Sequence, residues 1–351
     1  MSRVARLDAL RGLAVLLVMI RHGAPGAAPG AGVVGIVMFF TLSGYLITGL
    51  LMRELDTTGR IRLGAFYRRR AVRLLPALLA LVTGLTVVTL VLDPLGDRSA
   101  LGRTLAVALT YTADLPITHG SDAIFHLWTL AVEQQFYLLW PPLLAWAWLR
   151  GRATLLVIRT LAVIVVVAAG VTLWLREDFD RAYPWPTSWA GAMLIGAAAS
   201  VSNRRRNAAR GVAHARPHRG ASSRTLAATA APVALALLVV AGLVPWRSWS
   251  FTYPWVGLSL AALTVVVLHH WAQDPTPQGR ALTTLGRLGT ISYAAYLWNY
   301  PLTLWLRPWH PITGPALAAV LTLALATVSW FLIERPATRR WAGPRPVAPL
   351  Q

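Results

Sequence analysis

The chain has 351 residues, 56% of them hydrophobic and only 13% charged, with a mean hydropathy of +0.54. That composition excludes a soluble globular domain and reads as an all-α, polytopic membrane protein. The formal charge of +20 comes from 33 basic residues, all arginine, which fall between apolar stretches and so reflect membrane topology rather than a nucleic-acid partner. There is no cysteine, which excludes disulfides, thiolate catalysis and Cys-ligated zinc, and the eight histidines show no zinc-site spacing.

Residues 1–31 carry Arg3 and Arg6, an apolar run and then Ala-Pro-Gly repeats, the layout of a secretory leader. Arg11 interrupts the run and Arg21-His22 stands where small residues belong, so the segment is expected to stay as the first span. About ten spans are predicted: 7–24, 32–52, 74–92, 125–148, 154–175, 187–202, 226–244, 254–271, 288–306 and 314–333. The apolar stretch 100–112 is too short to cross and reads as an interfacial or re-entrant helix in the 93–124 loop. With both termini cytoplasmic, about 25 arginines lie on the inner side. Seven of these are in 53–73 and seven in 203–225; about six (Arg98, Arg103, Arg176, Arg181, Arg247 and Arg307) lie outside. Segment 203–225 reads as a mobile basic cytoplasmic loop that could touch anionic lipid headgroups. A single membrane domain is expected over 1–340, followed by a disordered cytoplasmic tail at 341–351.

The polar residues inside spans carry the functional signal. In the first span Arg11 and His22 are separated by ten residues, which sets them three turns apart on nearly one face. In the second, Thr41 and Ser43 are expected to back-bond to their own helix, which argues against Ser43 as a nucleophile. At the foot of the third, Arg69, Arg70 and Arg73 share a broad face; guanidinium forks grip phosphate, although topology and lipid headgroups would explain them too. Glu133 stands in an apolar run from His126 to Leu149, and a carboxylate there costs several kcal/mol unless it is used. Phe136, Tyr137 and Trp140 lie on its face, with His126 two turns above it. Trp128, Trp140, Trp146 and Trp148 read as belt and packing residues. Trp298 and Asn299 interrupt the ninth span, and Glu334-Arg335-Pro336 reads as an ion pair and helix stop.

Counting helix rise places His22 roughly 22 Å, Glu133 roughly 18 Å and Asn299 roughly 16 Å above the inner boundary. Three polar groups on three helices are therefore expected in one layer, with His126 on its outer side.

These motifs, in this order, resemble the acyltransferase-3 family. They are Leu7-Asp-Ala-Leu-Arg11…His22, Phe39-Phe-Thr-Leu-Ser-Gly-Tyr-Leu-Ile, Arg69-Arg70…Arg73-Leu-Leu-Pro76, Leu127-Trp-Thr-Leu-Ala-Val-Glu133…Tyr137, Ile291-Ser-Tyr…Tyr-Leu-Trp and Leu332-Ile-Glu-Arg-Pro336. The family comprises integral-membrane O-acyltransferases of surface polysaccharides, peptidoglycan, Nod factors and macrolides. The resemblance implies that Arg11 and His22 are its Arg-x10-His pair, that the arginine cluster contacts acyl-CoA, and that Glu133 is its helix-four acid. Two positions depart from the pattern: Gln134 where a second acid is frequent, and Asn299 where histidine is common. Some relatives add a periplasmic hydrolase-like domain; this chain ends soon after Pro336, so direct acylation or hand-off to another protein is expected.

The resulting expectation is transfer of an acyl group, acetyl first, from cytoplasmic acyl-CoA to a hydroxyl of a cell-envelope glycan or a glycosylated small molecule. No cofactor is expected to be permanently bound. His22 and Glu133 are the catalytic candidates, with Glu133 orienting the His22 imidazole as it acts as general base or acyl carrier. Arg11, Arg69, Arg70 and Arg73 are the cosubstrate contacts, and His126, Tyr137, Trp298 and Asn299 the acceptor side, His126 being a reserve base. A transporter or flippase using Glu133 and His22 as a proton relay is the rival reading; a scaffold for a glycan-modifying complex is a third.

Overall fold

A helix lies over each predicted span in the computed structural model, which describes residues 2–115, 119–174, 183–212, 221–246, 253–271, 279–308, 310 and 312–341. In chain order the helices are α1 (Ser2–Gly23), α2 (Ala31–Thr58), α3 (Leu63–Val91), α4 (Leu101–Thr110), α5 (Trp128–Leu149), α6 (Ala153–Trp174) and α7 (Pro186–Val212). They continue as α8 (Ala221–Ala241), α9 (Tyr253–Trp271), α10 (Arg280–Thr290), α11 (Ser292–Leu306), α12 (Thr313–Ser329) and α13 (Arg335–Trp341). There is no strand among the described residues. By length and apolar character four of the described helical stretches can cross a membrane: Ala31–Thr58, Leu63–Val91, Ala153–Val171 and Thr313–Arg340. The most apolar window of Ala31–Thr58 is 72% buried and that of Ala153–Val171 only 11%, so α2 is the bundle's centre and α6 its rim. Exposed Leu79, Val87 and Leu90 on α3, Ile158, Val163 and Val166 on α6, and Leu317, Val320 and Leu323 on α12 leave an apolar exterior that lipid, not water, would cover. The chain is a multi-pass helical membrane protein.

Glycine brings the central helices into backbone contact. A Cβ on Gly44 of α2 would collide with the Met193 carbonyl of α7, and one on Gly196 of α7 with the Thr41 carbonyl of α2. Small residues at a crossing are how helices gain dispersion contacts when lipid removes the hydrophobic drive between them.

Proline makes the next set of contacts. It has no N–H, so the carbonyl four residues earlier loses its helical donor. Pro142 releases the Leu138 carbonyl of α5, and the Tyr67 hydroxyl of α3 donates to it at 2.9 Å. Pro301 releases the Leu297 carbonyl of α11, and His126 Nε2 donates to it at 3.0 Å. Each proline converts an orphan acceptor into a cross-link between helices.

Four boundaries differ from expectation. The predicted 288–306 span breaks at Ile291 into α10 and α11. Segment 203–225 is helical on both sides: α7 carries Arg204, Arg205 and Arg206 onward to Val212, α8 begins at Ala221, and 213–220 lies outside the described residues. Charge density suggested a loop there, but arginine and alanine are good helix formers and Arg204 pairs with Asp56 of α2. Of the expected tail, Trp341 ends α13 and 342–351 lie outside the described residues. Glu334-Arg335-Pro336 does not stop the helix: Trp330–Glu334 widens into a π-helical turn ahead of Pro336 and α13 continues. Glu334 is buried and accepts from Ser329 at 3.1 Å.

Candidate functional site

The Arg11, Arg70 and Arg73 side chains open onto one cavity of about 670 Å³, counting the space at its mouth. Four helix stripes build it, each at the i, i+3, i+4 spacing of one helical face. They are Ile36, Phe39, Phe40 and Ser43 of α2; Arg70, Arg73 and Leu74 of α3; Leu130, Glu133 and Tyr137 of α5, with Thr129; and Ser292, Tyr293 and Tyr296 of α11. Arg11 of α1 completes the wall and pairs with Asp8 at 3.6 Å. Glu133 is the one carboxylate against three guanidinium groups among the residues lining the space. The cavity therefore favours an anion.

Glu133 accepts hydrogen bonds from the Ser43 and Tyr137 hydroxyls. The Tyr137 hydroxyl lies 3.2 Å from Ser43 Oγ, so the three form a closed triangle. The Arg70 guanidinium stands 5.0 Å over the Tyr137 ring and 5.7 Å from that of Phe66, held by cation–π attraction with its fork free for an oxyanion. Ser43 was not expected here. Thr41 does back-bond to Val37 at 2.8 Å, but Ser43 spends its hydroxyl on another helix. Its place on the 36/39/40/43 stripe, which Thr41 does not share, was the available signal.

His22 stands elsewhere. Its Nδ1 lies 2.7 Å from Asn299 Oδ1, and its ring meets Tyr300 edge to face at 5.0 Å. Tyr300 in turn lies 5.2 Å from the His126 ring. A hydrogen-bonded wall separates this cluster from the cavity: Thr129 and Tyr296 hydroxyls meet at 2.6 Å, and Tyr296 donates to the His126 carbonyl at 2.8 Å. Phe39 packs on the Tyr296 ring at 6.3 Å. The expected single polar layer is thus two: Asn299 and His22 together, and Glu133 further toward the arginine end with Ser43 and Tyr137. Counting rise from assumed boundaries gave each helix its own origin. The true starts differ, at Ser2 for α1, after the 3₁₀ segment Asp122–Leu127 for α5, and at Ser292 for α11. Glu133 does not orient the imidazole; Asn299 does.

Three further expectations are corrected. Arg69 turns about 100° from Arg70 and faces Glu54 at 3.8 Å, outside the cavity. Trp298 packs its indole against Gly84 of α3, where a Cβ would collide with it, and does not line the cavity. His126 is buried, commits Nε2 to the Leu297 carbonyl and so cross-links helices, and it lies outside the residues that line the cavity. Arg11, Arg70, Arg73, Glu133 and Tyr137 do converge on one space.

The predicted interfacial segment closes over α5. Its α4 ends at Tyr111 in a left-handed conformation (φ 54°), and Gln135 donates to Asp114 at 2.6 Å. Burial, with the Glu133 charge as a second cause, pushes the Tyr111 hydroxyl up to about 12, so it stays a proton donor at neutral pH. Burial also raises the Asp114 carboxyl, a shift that the Gln135 bond opposes. No group of three or more metal-ligating side chains occurs among the described residues.

Comparison with known proteins gives the family. A family model described as an acyltransferase domain, acyltransferase-3, matches residues 4–335. The chain is similar to O-acetyltransferase OatA of Staphylococcus aureus, 25% identical over 95% of this chain and 57% of the relative. It is also similar to peptidoglycan O-acetyltransferase OatA of Listeria monocytogenes, 26% identical over 95% of this chain and 55% of the relative. The putative peptidoglycan O-acetyltransferase YrhL of Bacillus subtilis is 31% identical over 94% of this chain and 54% of its own length. The chain therefore spans little more than half the length of these curated relatives. No solved structure matches.

Proposed function

The chain belongs to the acyltransferase-3 family, and from that premise we propose that it is a membrane O-acetyltransferase taking its acetyl group from cytoplasmic acetyl-CoA and placing it on a hydroxyl of a cell-envelope glycan. The names of its relatives, two of which specify peptidoglycan, support the glycan acceptor. The observation that carries the donor assignment is the cavity itself: Arg11, Arg70 and Arg73 gather at one end of an otherwise membrane-embedded space. The arginine-rich segments 53–73 and 203–225 support a cytoplasmic position for that end and for both termini.

In this reading the CoA phosphates rest on Arg70 and Arg73, with Arg11 behind them, and the pantetheine arm carries the thioester past Glu133 toward His22. Tyr296 lines the cavity and packs on His126, whose ring meets Tyr300 beside His22, so the thioester passes Tyr296 to arrive. His22 then acts as general base on the acceptor hydroxyl, or first takes the acyl group itself. A proton-relay transporter would want His22 and Glu133 in contact; each instead has its own partners, Asn299 for one and Ser43 and Tyr137 for the other.

Arg70→Ala and Arg73→Ala test the donor assignment. Each charged contact to phosphate contributes about 1.5–3 kcal/mol, so the KM for acetyl-CoA is expected to rise roughly tenfold to a hundredfold with kcat less affected. Acetyl-pantetheine lacks the nucleotide phosphates, so its KM is expected to be nearly indifferent. Release of CoA is followed with a thiol reagent, for which a chain without cysteine gives no background. Equal damage with both donors makes the arginines structural.

A further inference from the structure

Three side chains on three helices form an ordered chain of hydrogen bonds behind His22: Thr322 of α12, Asn299 of α11 and His22 of α1. Thr322 is fully buried and Asn299 is 2% exposed, so neither can turn to water for a partner. The direction of each bond follows from the one before it. The Thr322 hydroxyl lies 2.7 Å from the Ala318 carbonyl and 3.4 Å from Asn299 Nδ2. A hydroxyl has a single proton, and the shorter contact to an obligate acceptor takes it. Thr322 Oγ1 then faces Asn299 with a lone pair, and only an N–H can sit opposite it. The amide nitrogen of Asn299 is therefore on the Thr322 side and its oxygen on the His22 side. That oxygen is 2.7 Å from His22 Nδ1 and can only accept, so Nδ1 carries the proton. Nε2 is left with its lone pair.

We propose that Thr322 is a positioning residue which, through Asn299, fixes the His22 tautomer with Nε2 as the proton-accepting atom. The proposal deepens the acetyl-transfer reading and rests on it. It gives that reaction a definite atom: Nε2 takes the proton of the acceptor hydroxyl as its oxygen bonds to the acetyl carbon, the carbon–sulfur bond breaks, and the proton passes from Nε2 to the departing CoA thiolate. It also accounts for an amide rather than an acid at 299. Asn299 holds the ring without adding a negative charge, so the imidazole is not drawn toward the cation, which has no lone pair to offer. The α1 backbone at the same place is fixed independently, because Arg307 donates to the His22 carbonyl. Loss of the Thr322 hydroxyl should thus release the amide flip and the tautomer without releasing the helix end.

The test uses the full chain, purified in detergent with ¹⁵N-labelled histidine. The His22 resonances are identified by their disappearance in His22→Ala, and CoA release from acetyl-CoA is measured with soluble peptidoglycan fragments as acceptor. In the wild type His22 is expected to carry its proton on Nδ1. Thr322→Val keeps the shape and removes the lone pair, so Asn299 is free to turn its amide nitrogen toward His22. The expected result is a shift of the His22 proton toward Nε2 and a fall of roughly tenfold to a hundredfold in kcat with KM for acetyl-CoA little changed, a fraction of the ~10⁴ that a wholly wrong tautomer costs. Thr322→Ser restores the lone pair and is expected to restore the Nδ1 proton and most of the turnover. The proposal is overturned if Thr322→Val leaves tautomer and kcat as in the wild type, or if Thr322→Ser behaves like Thr322→Val. Failure of the underlying reading looks different: His22→Ala would then retain turnover, whatever the state of Thr322.

Discussion

Replacing His22 by alanine is expected to lower acetyl transfer at least about a thousandfold, within the range that a positioned base supplies. The protein should still insert and fold. His22 is half-buried, its backbone carbonyl keeps the bond from Arg307, and the substitution leaves the buried Asn299 Oδ1 without its partner, a loss of about 1–3 kcal/mol. Gel-filtration behaviour should therefore match the wild type, and thermal unfolding should stay cooperative with a modest downward shift, while CoA release in the presence of the glycan acceptor falls to background. Near-wild-type turnover in a folded variant would remove His22 from the chemistry.

Glu133→Gln is expected to cost on the order of a hundredfold in kcat/KM although the side chains are nearly isosteric. The reason is local. Two hydroxyls, Ser43 and Tyr137, donate to the carboxylate, and its charge is the only negative one lining a cavity with Arg11, Arg70 and Arg73. Losing one buried charge-assisted contact and the counter-charge together costs about 2–4 kcal/mol. The neighbouring Gln134 provides the control. Adding Gln134→Glu to Glu133→Gln restores a carboxylate about 100° around the helix, so it should not rescue activity. Rescue would mean that the functional face of α5 has been misassigned.

Where side-chain spacing alone decides the answer, the sequence was a sufficient guide. Arg11, Arg70, Arg73, Glu133 and Tyr137 fall on stripes that meet in one cavity, and helical periodicity finds stripes. The same spacing admits Ser43, four residues after Phe39, whereas Arg69, four before Arg73, is set aside only by its contact with Glu54. Depth was not legible in this way. His22, Asn299 and Glu133 appeared to share a layer because each was measured from the assumed end of its own helix. Hydropathy does not mark the 3₁₀ segment ahead of α5 or the break at Ile291. Proline's role was partly readable. Pro301 announces an orphan carbonyl at Leu297, but only the fold shows that His126 is its donor.

The central claim is directional: the donor enters at the arginine end, and the acetyl group leaves on the side of His22. Inside-out membrane vesicles containing the full chain test it directly, with acetyl-CoA added outside and soluble peptidoglycan fragments enclosed in the lumen. CoA should accumulate outside and base-labile acetyl esters on the enclosed glycan, with vesicles of the His22→Ala variant as the blank. Turnover that needs acetyl-CoA in the lumen, or esters formed only on glycan supplied outside, would contradict the account.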